Sequence, residues 1–434
     1  MADLCRIIDA RISDPFEFLR SRTLRQDLEL EGIVRAIIDD VRQRGDIALL
    51  ESARRFDSPA IQSILVTDEE LEKNELPTHY ASAIEFAAER IERFHTLQLT
   101  SFSSGLEAEG NAFGWRHEGL GQRVLPMQSA GVYVPGGKAT YPSSVLMNAI
   151  PAKVAGVEHR FVTTPCNKDG KLAPVVLHAL KVAGVERAFK VGGAAAIAAL
   201  ALGTESVPRV DKIVGPGNRF VNEAKRQLWG QVGLDGYAGP SEVCVLLDES
   251  ANIEYACADL LTQIEHSDDN AAFIVSTSER AIKLMLDAAE RQLNGTTCEH
   301  SMRKALSEMS CAFIATDLNQ AVEIVNAIAP EHLSIALENP DKVLDSIRNA
   351  GAVLIGEFTP ESAGDYVLGP SHTLPTAGAA RFGSPVNVMD FLKIQSYSHI
   401  AYDQLLELIP TIEAFGEMEG FPVHARGASI RLSR

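Results

Sequence analysis

The stretch Val132-Tyr133-Val134-Pro135-Gly136-Gly137 decides the fold, because its apolar residues predict a short strand that ends in a glycine-rich turn. Apolar residues from 144 to 155 predict a helix, and Arg160-Phe161-Val162-Thr163 predicts the next strand, closed by Pro165. Strand, helix and strand in repeated units predict a parallel sheet with helices on its faces.

The same alternation extends to about residue 354. Further strands are predicted at 188–191, 212–214, 243–247, 272–276, 311–314 and 352–354, and further helices at 172–183, after Gly192-Gly193, and at 253–264, 279–293 and 318–328. The first hundred residues and the chain after Pro385 predict helices instead, at 31–44, 81–94 and 401–415. The predicted fold class is α/β.

Composition limits the classes of function. At 434 residues the chain has room for about three domains. Its 40 basic and 58 acidic residues give a net charge of −18, which disfavours binding to nucleic acid or anionic membranes. Six cysteines without a C-x-x-C pair indicate a reducing compartment. No apolar run is long enough to span a bilayer, so a cytoplasmic protein is expected.

Three glycine-rich turns follow predicted strands: Pro135-Gly136-Gly137, Gly192-Gly193 and Gly215-Pro216-Gly217-Asn218. Turns at the carboxyl ends of parallel strands are where open α/β sheets bind ligands, and glycine lets backbone N–H groups approach a pyrophosphate. A single turn is better explained by the need of the turn for a positive φ. Three such turns in one sheet favour nucleotide binding, although the chain has no G-x-G-x-x-G motif.

Two further patterns suggest chemistry. Gln263 and His266 share a face of a predicted helix, and with a carboxylate and an imidazole from elsewhere they would suit Zn²⁺. The adjacent Glu331 and His332 form a candidate acid and base pair, since an imidazole titrates near neutrality. By themselves, both patterns are more typical of solvated surface residues than of a functional site.

Nine short motifs, in one order along the chain, resemble the histidinol dehydrogenase family. They are GVYVPGG (131–137), PAKVAG (151–156), VGPGN (214–218), AGPSE (238–242), EH (265–266), PEHL (330–333), GDY (364–366), LPT (374–376) and EG with HA (419–425).

The resemblance implies two incomplete Rossmann-like parallel-sheet domains with helical N- and C-terminal arms that form a homodimer. The implied boundaries are an N-terminal arm at 1–25, a first Rossmann-like domain at 26–125 and 241–383, a second, NAD-binding one at 126–240, and a C-terminal arm at 384–434. The implied activity is the NAD-dependent oxidation of L-histidinol through L-histidinaldehyde to L-histidine, the last step of histidine biosynthesis.

The resemblance also implies a role for individual residues. Glu331 and His332 are the implied catalytic pair, and Tyr133 and Asn218 the implied NAD contacts. One Zn²⁺ per subunit is implied to be bound by Gln263, His266, Asp365 and His424. These four residues, with Ser241, His332, His372 and Glu419, are the implied substrate contacts, and the site is implied to be shared between the two subunits.

Four departures from the commonest family pattern support a second hypothesis. Ala195 stands where glutamine is usual, Ser371 stands where asparagine is usual, and Gly236-Tyr237 and Ser267-Asp268-Asp269 also differ. A zinc alcohol dehydrogenase of the same superfamily that oxidises another small alcohol, such as sulfopropanediol, is therefore the alternative. A non-catalytic metal or nucleotide-binding module is less favoured, because it would not need Glu331 and His332 beside a full ligand set.

Overall fold

The computed structural model describes residues 4–21, 27–72, 74–109, 112–136, 139–236, 239–265 and 267–432. One predicted metal ligand, His266, lies outside the described residues. The strands are β1 Arg6–Asp9, β2 Glu107–Glu109, β3 Ala112–His117, β4 Leu120–Pro126, β5 Ser129–Tyr133, β6 His159–Thr164, β7 Arg187–Lys190, β8 Lys212–Val214, β9 Gly233–Leu234, β10 Glu242–Leu247, β11 Ala271–Ser276, β12 Cys311–Ile314, β13 His332–Ala336, β14 Ala352–Ile355 and β15 Leu392–Ser398.

The helices are α1 Phe16–Ser21, α2 Leu28–Arg44, α3 Asp46–Phe56, α4 Asp68–Glu72, α5 Thr78–Ser103, α6 Pro142–Val154, α7 Pro174–Val182, α8 Gly193–Leu202, α9 Arg219–Leu228, α10 Ile253–Ile264, α11 Glu279–Leu293, α12 Glu299–Lys304, α13 Leu318–Ile328, α14 Asp341–Leu344, α15 Glu361–Tyr366, α16 Tyr402–Met418 and α17 Pro422–Ser429. The chain forms two compact units. Unit 1 contains Met1–Leu99 and Met127–Phe391, and unit 2 contains Thr100–Pro126 and Leu392–Arg434.

Unit 1 contains a six-stranded parallel sheet in the order β1-β12-β11-β10-β13-β14. Every residue of β10 and β11 is buried, as expected for parallel strands covered by helices on both faces. Two apolar cores lie on this sheet, one including residues of α10 and α11 and the other including residues of α13. The helices start at side-chain caps, where Asn252 accepts from Tyr255 N–H, Ser278 from Ala281 N–H and Asp317 from Gln320 N–H.

A second parallel sheet in unit 1 has the order β7-β6-β5-β8-β9. The alanine-rich α8 is buried along almost its whole length, and its core includes residues of α2, α3 and α9. Gly215, after β8, has a φ of 117°, and a Cβ there would lie 2.0 Å from the carbonyl oxygen of Tyr133. Glycine is therefore required where the ends of β5 and β8 approach each other.

Unit 2 has an antiparallel sheet in the order β15-β4-β3-β2, together with α16 and α17. Gly416 in α16 would place a Cβ 2.7 Å from the Cβ of Ala425 in α17, so this glycine allows the two helices to pack closely. Several large apolar side chains of the two helices are nevertheless exposed, among them Met418 at 71 % and Val423 at 79 %.

The predicted α/β class with two parallel sheets and helical terminal segments is confirmed. The helices at 253–264, 279–293 and 318–328 have the predicted bounds. The first hundred residues are mainly helical, as predicted, but they also contain β1, which was missed and which pairs with β12 at the sheet edge. Strands β2, β3, β4, β9 and β15 were also missed. In the described parts of the chain, no helix combines the length and apolar character that crossing a membrane requires.

The domain boundaries stay a prediction. One feature of the packing was not indicated by the sequence pattern: α2 and α3, from the segment assigned with residues 241–383, share a core with α8 of the five-stranded sheet. Val34, Ile38 and Leu49 are among the buried apolar residues that join this core.

Candidate active site

A cleft of about 450 Å³ lies between opposite edges of the two parallel sheets. One wall consists of turns that follow β5 and β8, including Pro135 and Asn218. The other wall consists of residues at or near the start of β10 and β13, including Ser241 and His332. The cleft is therefore bordered by the carboxyl edge of the five-stranded sheet and the amino edge of the six-stranded sheet.

His332 is the first residue of β13 and is 4 % exposed. Its Nε2 lies 3.5 Å from Asp365 Oδ1 and 4.0 Å from Glu361 Oε2, while its Nδ1 lies 3.9 Å from Glu331 Oε2. Burial by itself lowers the pKa of His332, but the hydrogen bond to Asp365 and the charges of Glu331 and Glu361 outweigh it and raise the pKa to about 9. The imidazole is thus surrounded by carboxylates that stabilise its protonated form.

Glu331 is buried beside this imidazole and is fixed by the backbone. Its Oε2 accepts a hydrogen bond of 2.9 Å from the N–H of Glu242, the first residue of β10. Burial raises the pKa of Glu331 to about 7, with His332 and the Glu242 N–H acting in the opposite direction. A carboxyl group with a pKa near neutrality can both accept and release a proton at neutral pH.

The backbone before this pair has an unusual conformation. Ala329, the C-cap of α13, adopts a left-handed conformation with a φ of 51°, which is uncommon for a residue with a Cβ. The turn that it makes leads through Pro330 into Glu331 and β13. Local strain of this kind is found at functional sites, where surrounding structure maintains it.

Gln263 and Asp365, two of the predicted metal ligands, are in direct contact. Gln263 Nε2 donates a hydrogen bond of 3.0 Å to Asp365 Oδ2. An amide whose nitrogen donates to a carboxylate keeps its oxygen as a metal-binding atom, so these two residues fit a divalent cation. Across the described residues, no group of three or more His, Cys, Asp or Glu side chains is placed to hold a metal. The other two predicted ligands are His266, outside the described residues, and His424 in unit 2.

His372 lines the same cleft, and each of its ring nitrogens has a hydrogen-bond partner. Its Nδ1 donates to the carbonyl oxygen of Asp365 at 2.9 Å, since a carbonyl can only accept. In the neutral ring, Nε2 then accepts from the hydroxyl of Ser144, 3.1 Å away. Ser241 also lines the cleft, and its N–H donates to Asn270 Oδ1 at 3.0 Å. His372 and Ser241, two of the predicted substrate contacts, are therefore in the cleft.

The two predicted NAD contacts lie at neighbouring strand ends but have different exposure. Asn218 lines the cleft and caps α9 by accepting from Phe220 N–H and Val221 N–H. Tyr133 is buried at the end of β5, and its hydroxyl accepts a hydrogen bond of 3.2 Å from Gly193 N–H. Asn218 can therefore face a ligand in the cleft, whereas Tyr133 joins β5 to the start of α8.

Glu419 and His424, the remaining predicted site residues, belong to unit 2. Glu419 is the C-cap of α16 and His424 lies in the first turn of α17, and both side chains are exposed. The ring of His424 is 5.4 Å from that of Phe421. In the described chain, the side chains of Glu419 and His424 are therefore exposed on the surface of unit 2.

Glu361 is a residue of the site that the sequence analysis missed. It is 0 % exposed, and neither carboxylate oxygen has a hydrogen-bond partner among the described residues. Burial raises its pKa to about 8. The available signal was its position four residues before Asp365, because residues at that spacing share a helix face.

The fold and the site together define an α/β protein with a buried acid and base pair facing a strand-end cleft. The family model for histidinol dehydrogenase matches residues 20–432. A histidinol dehydrogenase of Clostridium acetobutylicum is 40 % identical over 437 residues, covering 100 % of both chains. One of Bacillus subtilis is 44 % identical over 413 residues, covering 94 % of each.

A solved structure gives the same result. The crystal structure of histidinol dehydrogenase from Elizabethkingia anophelis superposes with a TM-score of 0.88 at 32 % identity, covering 99 % of this chain and 98 % of that one. The chain belongs to the histidinol dehydrogenase family. The resemblance stated from its motifs is confirmed, and so is the predicted class of enzyme, an oxidoreductase that acts on a CH–OH group.

Proposed function

We propose that this enzyme oxidises L-histidinol through L-histidinaldehyde to L-histidine, reducing two NAD⁺ in turn, as the last step of histidine biosynthesis. The observation that carries the proposal is the buried Glu331 and His332 pair beside Gln263 and Asp365 in one cleft of a member of this family. The five-stranded sheet of residues 126–240 is the proposed NAD-binding domain, because its carboxyl edge borders the cleft.

His332 is the proposed base for the alcohol. Loss of hydride from the carbinol carbon requires that the hydroxyl proton leave, and the imidazole of His332 can accept it. The high pKa of His332 arises partly from the negative charge of Asp365. If Asp365 binds a cation, less negative charge faces the ring, and its pKa falls towards the range in which a neutral imidazole acts as a base.

Glu331 is the proposed base for the second oxidation. The aldehyde must add water before it can lose a second hydride, and a carboxylate with a pKa of about 7 can take a proton from that water. Its hydrogen bond from Glu242 N–H keeps one oxygen at a fixed position next to His332. The two residues thus divide the proton transfers between the two half-reactions.

The proposed metal is one Zn²⁺ per subunit, held by Gln263, His266, Asp365 and His424. When bound, it would supply a Lewis acid that orients the amine and imidazole nitrogens of the substrate. The contact between the Gln263 amide and the Asp365 carboxylate supports this assignment, since both offer oxygen donors. Ser241, His372 and Glu419 are the proposed further substrate contacts.

The proposed assembly is a cytoplasmic homodimer with shared active sites, in which His424 and Glu419 of one chain complete the site of the other. The support is the apolar surface of unit 2. Its large exposed apolar residues in the two terminal helices and the turn between them are Tyr402, Leu406, Leu408, Phe415, Met418, Phe421 and Val423. Such a surface is typical of protein interfaces, and burying it would fix the tail that carries both polar groups.

The substrate is tested by NAD⁺ reduction on purified, zinc-replete enzyme, with L-histidinol and sulfopropanediol side by side. We expect turnover of L-histidinol with two NAD⁺ reduced per substrate. The relatives named histidinol dehydrogenase favour this outcome. The unusual Ser371 does not line the cleft; it is buried, and its hydroxyl accepts a hydrogen bond from Thr373 N–H. Turnover of sulfopropanediol alone would contradict the proposal and favour the alternative dehydrogenase.

A further inference from the structure

A carboxylate from outside the five-stranded sheet lies against the sheet's carboxyl edge. Asp57 is the C-cap of α3, and its Oδ2 accepts a hydrogen bond of 3.2 Å from the N–H of Gly192, in the turn between β7 and α8. A Cβ added to Gly192 would lie 3.3 Å from Asp57 Oδ1 and 3.0 Å from Pro165 Cβ. Asp57 therefore reaches the turns that follow β6 and β7.

The backbone on both sides of this carboxylate is held in place. The hydroxyl of the next residue, Ser58, donates to Lys168 O at 2.6 Å, in the loop after β6. Further along, Val66 N–H donates to Ala188 O at 3.0 Å, so the segment runs beside the outer edge of β7. The position of Asp57 is thus set by β6 and β7, the strands whose carboxyl ends it faces.

The charge of Asp57 has little compensation. Among the residues that the structure describes, Asp57 has no ion-pair partner and Gly192 N–H is its one hydrogen-bond donor. Lys190, on β7, is bound by Glu70 at 2.9 Å. Burial raises the pKa of Asp57 to about 6. A carboxylate has about four acceptor positions, so Asp57 can accept further hydrogen bonds.

The turn itself offers no other polar side chain. Helix α8 begins with Gly193, Ala194, Ala195 and Ala196, and the three alanines are buried. Gly192 N–H donates to Asp57 and Gly193 N–H to the hydroxyl of Tyr133, so a ligand that crosses this turn would meet the Asp57 carboxylate. A group with hydroxyl donors fits such a carboxylate, whereas a phosphate would be repelled by it.

The separation of Asp57 from the cleft fits a dinucleotide. The cleft lies over the ends of β5 and β8, and the strand order β7-β6-β5-β8 places β7 three strand spacings from β8. At ~4.8 Å per spacing this is roughly 14 Å. A nicotinamide in the cleft would leave the adenosine of an extended dinucleotide near β6 and β7.

Resting on the proposed use of NAD, we propose that Asp57 binds the hydroxyl groups of the adenosine ribose and disfavours the 2′-phosphate of NADP. In dinucleotide-binding sheets an acidic side chain often accepts the ribose 2′-hydroxyl. Here the acid comes from the C-terminal end of α3, outside the strands that form the sheet. The structural alternative is that Asp57 only holds the turn through Gly192 N–H.

Asp57→Asn separates the two roles, because the amide oxygen can still accept from Gly192 N–H while the charge is lost. The measurement is calorimetric binding of NAD⁺ and of NADP⁺, without the alcohol, to the wild type, Asp57→Asn and Asp57→Ala. A matched control is Asp211→Asn at the amino edge of the same sheet, where Asp211 accepts from Gln128 N–H at 3.1 Å and Ser129 N–H at 3.0 Å.

We expect Asp57→Asn to weaken NAD⁺ binding at least about tenfold, as for loss of a hydrogen bond to a charged group. The ratio of NAD⁺ affinity to NADP⁺ affinity should fall as well. The thermal midpoint without nucleotide should be unchanged, and Asp211→Asn should bind NAD⁺ like the wild type. Unchanged NAD⁺ affinity in both Asp57 variants, or equal weakening for NAD⁺ and NADP⁺, would overturn this inference alone. A wild type that binds neither nucleotide would overturn the proposed function as well.

Discussion

We predict that breaking the ion pair of Lys225 and Asp235, beneath the cleft, strongly destabilises the protein. Lys225 Nζ lies 2.8 Å from Asp235 Oδ1, and the two side chains are 2 % and 6 % exposed. Lys225 Nζ also donates to Gly215 O at 2.6 Å, and Asp235 Oδ2 accepts from Gly215 N–H at 2.7 Å. The pair therefore fixes both backbone groups of Gly215, which starts the turn leading to Asn218.

Removing one partner leaves the other charge buried without compensation, and this costs ~3–5 kcal/mol in comparable buried pairs. We expect Lys225→Met to lower the free energy of unfolding by about that amount. The double variant Lys225→Met with Asp235→Asn should lose less, because no buried charge then remains and the asparagine can still accept from Gly215 N–H. The effects of the two substitutions should accordingly be far from additive.

The assay is urea unfolding, read as the shift of the midpoint at constant slope. The control is Lys283→Met, since Lys283 forms a helical ion pair with Glu279 at 2.6 Å with 64 % of its side chain exposed. Exposed pairs of this kind contribute little to stability, because solvent screens their charges. Equal small losses for Lys225→Met and Lys283→Met, or strictly additive effects at 225 and 235, would refute the reasoning. Weaker NAD⁺ binding in Lys225→Met would connect the pair to the proposed NAD contact at Asn218.

The remaining predictions concern the proposed chemistry and assembly. Asp365→Ala and His266→Ala should lose stoichiometric zinc by metal analysis together with activity, and full retention of zinc in both would contradict the ligand assignment. His332→Ala should lower histidinol oxidation by ~10²–10⁴-fold while retaining zinc. Glu331→Ala should still oxidise histidinol to the aldehyde level, and equal loss of both half-reactions would argue against a separate role. Mixing inactive His424→Ala and His266→Ala proteins should restore part of the activity after subunit exchange, whereas no recovery despite exchange would exclude a shared site.

Sequence periodicity predicted the parallel sheets because their strands are short apolar runs and their helices have regular amphipathic patterns. It missed β1, whose Arg6-Ile7-Ile8-Asp9 is too short for a pattern and is a strand through its pairing with β12. It also missed β15, where the run Leu392–Ser398 is largely exposed and its strand form depends on antiparallel pairing with β4.

The candidate site was predictable where residues are close in sequence or belong to recognisable motifs. Gln263, Glu331, His332, Asp365 and His372 line one cleft. Glu361 was not predicted, since a glutamate after a proline at the start of a short helix usually faces solvent, and its burial against His332 depends on long-range packing. Asp57 was not predicted either, because 135 positions separate it from the Gly192 N–H that it contacts.

Because the cleft lies between the carboxyl edge of one sheet and the amino edge of the other, the helices at its two walls present dipole ends of opposite sign. Helices α6 and α9 begin at the first wall of the cleft and present the positive ends of their macrodipoles. Helix α10 ends at the other wall, next to Gln263, and presents a negative end. Each end is equivalent to roughly half an elementary charge. The peptide backbone alone therefore attracts anions to one wall of the cleft and cations to the other, before any side chain contributes.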